Sequence, residues 1–512
     1  MPISLTTLYT RLQSLLHTHP VTPHPSTLSS SLPTLPRSLP THGLGDEATA
    51  EHLLTDIVPA LNGSKTTGHY YGFVIGGVLP IAEVADNIVT AFDQNVMVHL
   101  PEQSISTVVE DRASGMLVEL LGLGEGWEGR VFTTGATGAN VLGLGCGREA
   151  VLTSRLKKLG KKKGVAEMGL LKACYKAGVK EIQVLTSMGH SSLYKAAAVV
   201  GIGRCSIKDI GLSASEPWRI DIDRMERELA REKEGVVSIV VLSVGEVNSG
   251  RFATEGRHDM ERIRGLCDRF GAWLHVDGGT FLKLRYIILR MGLTYAITAF
   301  GLFARTLPQT PEFAALHRAC EGIELADSIT GDCHKMLNVP YDCGFFLTRS
   351  LPTLHSVFQN PNAVYLSATP HSIPSPLNHG LENSRRFRAL PVYAVLLSYG
   401  RDGLTEIFAQ QVRLARGIAG FLEGCEGYEL LAEGEGGRVE IEKIHVVVIF
   451  KARDRVVNEE LVGRINRSGK VYVSGTMWGG EAACRFAVGT WMVDGEGDLE
   501  VIRGVLEGVL RD

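Results

Sequence analysis

Four short apolar runs, separated by helical sequence, most narrow what this chain can become. They are RVFTT (130–134), EIQVLTS (181–187), VVSIVVLSVG (236–245) and AWLHVDG (272–278). Helix periodicity lies between them, as in DIDRMERELAREKE (221–234). A strand that is apolar throughout is covered on both faces, and strands alternating with helices are joined by crossovers. The pattern predicts an α/β fold on a mostly parallel sheet covered on both faces. After Tyr365 the texture changes. A long helical stretch from Ser384 leads to the strand candidates HVVVIFKA (445–452) and RFAVGT (485–490), which predicts a smaller α+β domain. Residues up to about Leu44 are rich in Pro, Ser and Thr after one amphipathic helix, and read as an arm. The partition is an arm at 1–60, a large domain at 61–370 and a small C-terminal domain at 371–512.

Charge and cysteine content narrow the function. With 512 residues, 44% of them hydrophobic, the chain can fill large cores, and a net charge of −4 argues against nucleic acid or an anionic membrane as the main partner. The basic run KKLGKKKG (157–164) reads as a solvated helix end. Nine scattered cysteines without a CxxC pair predict reduced thiols and a cytoplasmic protein. The N-terminus lacks a secretory pattern, and the apolar run 281–298 carries Lys283, Arg285 and Arg290, which argues against a membrane span.

The stretch VFTTGATGANVLGLGCG (131–147) reads as strand, small-residue turn and helix, a seat for an anion on a helix N-terminus. It is not a dinucleotide fingerprint, because Thr133 stands where the first glycine is required. Two later segments narrow the anion. AWLHVDG ends a buried strand on Asp277, and DSITGDCHKMLNVPYDCG (327–344) carries Lys335 after His334. A phosphate loop, a strand-end aspartate and a later lysine, in that order, suit pyridoxal 5'-phosphate. The lysine amine carries the cofactor, and the aspartate keeps the ring nitrogen protonated.

These segments resemble the pyridoxal-phosphate-dependent group II amino acid decarboxylases, over roughly residues 68–491, with DSITGDCHKMLNVPYDCG the most specific part. The resemblance implies fold type I, with an aspartate aminotransferase-like large domain, and a homodimer with shared active sites. It assigns Lys335 to the Schiff base, Asp277 to the ring nitrogen, His190 of SMGHSSLYKAA to the ring face, and Ala136 and Thr137 to the phosphate, with His334 and Ala299 also beside the cofactor. Gly138 stands where the family commonly has an acidic residue. SRRFRALPVY (384–393) matches the opening of the family's C-terminal domain, and Tyr365 matches the loop tyrosine that returns a proton after carbon dioxide leaves. His69, Tyr71 and Phe73 fall in a substrate-pocket segment. The implied reaction is decarboxylation of an L-amino acid, aromatic side chains favoured. Two alternatives stay open: an aldehyde synthase, and an impaired homologue that acts as a binding protein.

The second alternative arises from one anomaly. Removing Gly279–Thr298 leaves HVDGAFGLFARTLP, which looks like family sequence across the join, and brings Asp277 and Lys335 from 58 positions apart to 38 (335 − 277 = 58; 58 − 20 = 38). Gly278-Gly279-Thr280 can be encoded with a GT splice donor, Leu293-Thr294 with a CTAAC-type branch site and Thr298-Ala299 with a terminal AG. Translated intron and a lineage-specific loop are the two readings.

Overall fold

A computed structural model describes residues 4–277, 300–360, 373–432 and 437–511. Among these, twelve strands form two sheets, numbered in chain order. The larger sheet has seven strands in the order β2 (Gly129–Thr133), β8 (Gly344–Thr348), β7 (Ser328–Asp332), β6 (Trp273–Asp277), β5 (Val236–Ser243), β3 (Glu181–Thr186) and β4 (Ile207–Asp209). Only β8 runs against its neighbours; the other pairings are parallel. All four apolar runs are strands of this sheet, and β5 is buried at every position.

Side-chain alternation along β5 shows why the run is apolar on both faces. Val237, Ile239 and Val241 join a core with Leu142, Leu152 and Leu156 of the helix Ala136–Lys158. Val240 and Leu242 join the opposite core, with Phe303, Leu316 and Phe408. Burying an aliphatic side chain contributes ~1.5–3 kcal/mol, so a polar residue at either parity would be costly.

The smaller sheet runs β1 (Tyr70–Tyr71), β11 (Tyr472–Trp478), β12 (Glu481–Ala487), β10 (Val447–Ala452) and β9 (Tyr428–Leu430). Its first strand comes from far up the chain and lies parallel to β11. The helix anticipated from Ser384 begins at Ala389 and runs to Gly424, with non-helical backbone at Gly400 (φ 59°, ψ −166°). The residues before it are used otherwise. Arg385 donates to Val96 O (2.9 Å) and Phe132 O (3.2 Å) and pairs with the buried Glu110. Leu404, Phe408 and Val412 of this helix enter the large core, while Ile418 and Leu422 enter the small one. No described helix is long and apolar enough to cross a membrane.

Candidate active site

Parallel sheets gather functional groups at the carboxyl ends of their strands, where chain and side chains splay apart. Here β2 ends before the helix Ala136–Lys158, β3 before His190, β6 on Asp277, and β7 on Asp332, three residues short of Lys335. Asp277, His190, Asp332 and Lys335 are each at most 2% exposed.

A chain of hydrogen bonds fixes two of them. Asn140, in the second turn of the helix Ala136–Lys158, donates from Nδ2 to Asp277 Oδ2 (3.0 Å) and to Ser192 Oγ (3.0 Å). Its Oδ1 meets His275 Nε2 at 2.9 Å, and His275 Nδ1 meets Ser328 Oγ at 2.8 Å. Asn140 Oδ1 can only accept, so the imidazole proton sits on Nε2, and Ser328, which accepts from Trp273 Nε1 at 2.9 Å, gives its own hydrogen to His275 Nδ1. Burial pushes the His275 imidazole down to about 3, so it is neutral. On the other branch, Ser192 Oγ contacts His190 Nδ1, and Ser192 N donates to the same nitrogen at 2.9 Å. His190 therefore caps the helix Ser191–Val199 through an unprotonated Nδ1, with its proton on Nε2. Gly143 makes the arrangement possible: a Cβ there would stand 2.5 Å from the His275 ring.

Lys335 lies on the short helix Cys333–Met336, and its Nζ is 2.9 Å from Asp332 Oδ2. Burial pushes the amine below its ordinary value, while the Asp332 and Asp277 carboxylates oppose that shift and the Arg485 guanidinium adds to it. Asp332 Oδ1 accepts from Ala136 N at 2.6 Å, at the start of the helix assigned to the anion. Burial alone would raise the Asp332 carboxyl; the Lys335 ammonium, then His334 and the Ala136 amide, overcome it and hold it below the usual range. His334 Nδ1 lies 2.8 Å from Cys343 O, and burial lowers its imidazole. Thr137 is in the first turn of the helix beside Ala136. Asn338, at φ 48°, donates to both Lys335 O and Gly489 O at 2.9 Å, tying the lysine turn to the segment after β12.

Sequence reasoning missed Arg485. On β12, 4% exposed, it donates to Val247 O (2.8 Å), Gly72 O (3.1 Å) and Ser474 Oγ (3.0 Å). Burial lowers its guanidinium to about 10. It thus holds the backbone of the pocket segment 69–73 against the loop after β5. The side chains of that segment are engaged in the small sheet. His69 Nε2 contacts Asp498 Oδ1 at 2.9 Å, Tyr71 is fully buried against Phe486, and Phe73 lines a groove with Tyr472 and Val473. Asn140, Ser192, His275 and Asp332 were also missed as site residues, although the last two lie inside the HVD and DSITGDCHK motifs. Tyr365, Ala299 and the segment 279–298 lie outside the described residues.

The donor set suits a pyridoxal-type cofactor. A buried amine made less basic by desolvation, a strand-end carboxylate held by an amide and a helix start that binds a carboxylate through its first amide, all at the carboxyl ends of the strands, are what such a group needs. Among the described residues, no group of three His, Cys, Asp or Glu could hold a metal.

Comparison with known proteins agrees. Residues 306–451 match the pyridoxal-dependent decarboxylase conserved domain. The chain is 26% identical to an L-2,4-diaminobutyrate decarboxylase of Acinetobacter baumannii, over 69% of this chain and 62% of that protein. It is 24% identical to tryptophan decarboxylase 1 of Oryza sativa subsp. japonica, over 88% of this chain and 82% of that protein. In fold it is similar to Rhodiola rosea 4-hydroxyphenylacetaldehyde synthase, with a TM-score of 0.76 at 19% identity, covering 99% of this chain and 96% of that one.

Proposed function

We propose that the chain is a pyridoxal-phosphate-dependent group II amino acid decarboxylase, which removes the carboxyl group of an L-amino acid as carbon dioxide and leaves an amine. The observation that carries this reading is Lys335: a buried amine lowered by desolvation, at the same sheet edge as Asp277 and His190. When bound, the cofactor supplies an electron sink for the pair left behind by carbon dioxide. Lys335 Nζ holds it. Asp277, fixed by Asn140, would pair with the ring nitrogen, and His190 would present its ring beside the substrate carboxylate. The start of the helix Ala136–Lys158, with Thr137, would take the phosphate, and His334 would stand beside the cofactor; Ala299 is assigned there only for a chain that lacks 279–298. Tyr365 delivers the proton that replaces the lost carboxyl group, a role suited to a neutral phenol.

Aromatic substrates are favoured over acidic ones. Relatives matched over at least four fifths of both chains are named tryptophan decarboxylase 1 and tyrosine decarboxylase 1, which supports the aromatic reading. Two copies form the working unit. Val84, Ile88 and Phe92, spaced four apart on the helix Pro80–Phe92, are an exposed apolar stripe that suits a dimer face. Nine free cysteines suit the reducing cytosol.

The test is a panel of L-amino acids incubated with cofactor-loaded protein, scored for amine and carbon dioxide. An amine from an aromatic member is expected. Aldehyde in place of amine, or no product from any member, would overturn the assignment.

A further inference from the structure

Asp332 sits where an external anion is wanted. Its Oδ1 takes the Ala136 amide at the start of a 23-residue helix, and its Oδ2 takes the Lys335 ammonium. Gly135 lies directly against this carboxylate: a Cβ there would stand 3.4 Å from Asp332 Oδ1 and 3.5 Å from the His334 ring, in ordinary contact. His334 Nε2 lies 3.8 Å from Asp332 Oδ1. With 0% exposure, the carboxylate is shielded from bulk solvent and its charge is weakly screened. A phosphate or sulfate at this helix start would therefore face a fixed negative charge drawing on the same amide and the same ammonium.

We propose that Asp332 is the resident counter-ion of the phosphate seat, which sets the seat's affinity for an external anion and couples its filling to proton uptake. The inference rests on the reading that this sheet edge holds a phosphate-bearing cofactor. While the seat is empty, Asp332 neutralises Lys335 and caps the helix. When an oxyanion enters, the carboxylate either remains charged, at an electrostatic cost, or takes one proton from solvent. The charged and titratable groups facing it are Lys335 and His334 on its own turn, and Tyr341 from the segment before β8, with Asp277 acting on Lys335 from β6. Ala136 contributes only its amide.

Sulfate is the probe, because its charge does not change between pH 5 and 8. Binding is measured calorimetrically at constant ionic strength on the wild-type chain, Asp332→Asn and Asp332→Glu. Pyridoxal phosphate affinity is read in parallel from absorbance. At pH 8, Asp332→Asn should bind sulfate at least about tenfold more tightly than wild type, while Asp332→Glu, which keeps the charge, should not. Wild-type sulfate affinity should rise as pH falls from 8 to 5, and by more than that of Asp332→Asn, whose residual slope belongs to His334 and Lys335. Equal sulfate affinity in wild type and Asp332→Asn, with pyridoxal phosphate still bound, would reduce Asp332 to a helix cap and overturn the inference. Should Asp332→Asn not fold, a flat wild-type sulfate profile does the same. Failure of every form to bind pyridoxal phosphate would instead strike the functional reading, and the sulfate difference would still decide the role of Asp332.

Discussion

Replacing Asn140 with leucine should damage the fold and the site together, because one buried amide holds three partners. Asn140 is fully buried and bonds to Asp277, Ser192 and His275 at 3.0, 3.0 and 2.9 Å. Leucine fills similar space and supplies no polar atom, so three buried groups lose a partner. Each loss costs about 1–3 kcal/mol, more where the group is a carboxylate, and the added apolar contact returns about 1–2 kcal/mol. The net expectation is a loss of about 3–5 kcal/mol, with weaker cofactor affinity as Asp277 loses its anchor. Asn140→Asp separates shape from chemistry. The new carboxylate would stand about 3 Å from Asp277, a repulsion of about 5 kcal/mol at an effective dielectric near 20, unless a proton bridges the two. Its folded pKa is then raised above the unfolded value. The stabilising proton is present at low pH and lost as pH rises, so Asn140→Asp should be closer to wild type at pH 5 than at pH 8. The assays are denaturant midpoints of the cofactor-free proteins at both pH values, and pyridoxal phosphate titrations. A leucine variant within 1 kcal/mol of wild type, with unchanged cofactor affinity, would refute the reasoning.

Three further outcomes can be checked. Glu110→Ala leaves the buried Arg385 unpaired and should cost about 3–5 kcal/mol in denaturant unfolding, while Glu110→Leu combined with Arg385→Met should recover most of it. His445 is fully buried between Phe252 and Phe300, with its imidazole pushed down to about 3 by burial. In the unfolded chain it takes a proton as pH drops through about 6.5, so its contribution is intact above that and falls toward pH 3. His445→Leu should therefore gain about 2 kcal/mol relative to wild type between pH 8 and pH 5. Transcripts sequenced across codons 277–301 should include a species lacking Gly279–Thr298; a single species retaining those codons would establish a genuine loop.

What the sequence disclosed follows from the range over which each signal acts. The strands β2, β3, β5, β6 and β10 are predominantly apolar runs, so burial is largely written in them directly. Strand β7 was hidden in the polar text of DSITGDCHK, where Ser328, Thr330 and Asp332 are buried for the sake of the site. The two-residue β1 is defined by a partner 402 positions away (472 − 70 = 402), and no local pattern announces such a pairing. The site divides similarly. Lys335, Asp277, His190 and Ala136 belong to motifs and arrive together at one sheet edge. Asn140 reads in sequence as a polar interruption of a helix, and becomes a hub only where the Gly143 face of that helix meets β6. Arg485 lies in a strand candidate whose burial beside Lys335 depends on how the small sheet packs against the loop after β5.

The central claim is that Lys335 carries pyridoxal phosphate covalently. The most direct test is borohydride reduction of the chain mixed with pyridoxal phosphate, followed by peptide mass mapping. The account predicts a single stable adduct on the peptide containing Lys335, absent from Lys335→Ala. An adduct spread over surface lysines, or none at Lys335 in a chain shown to be folded, would contradict it.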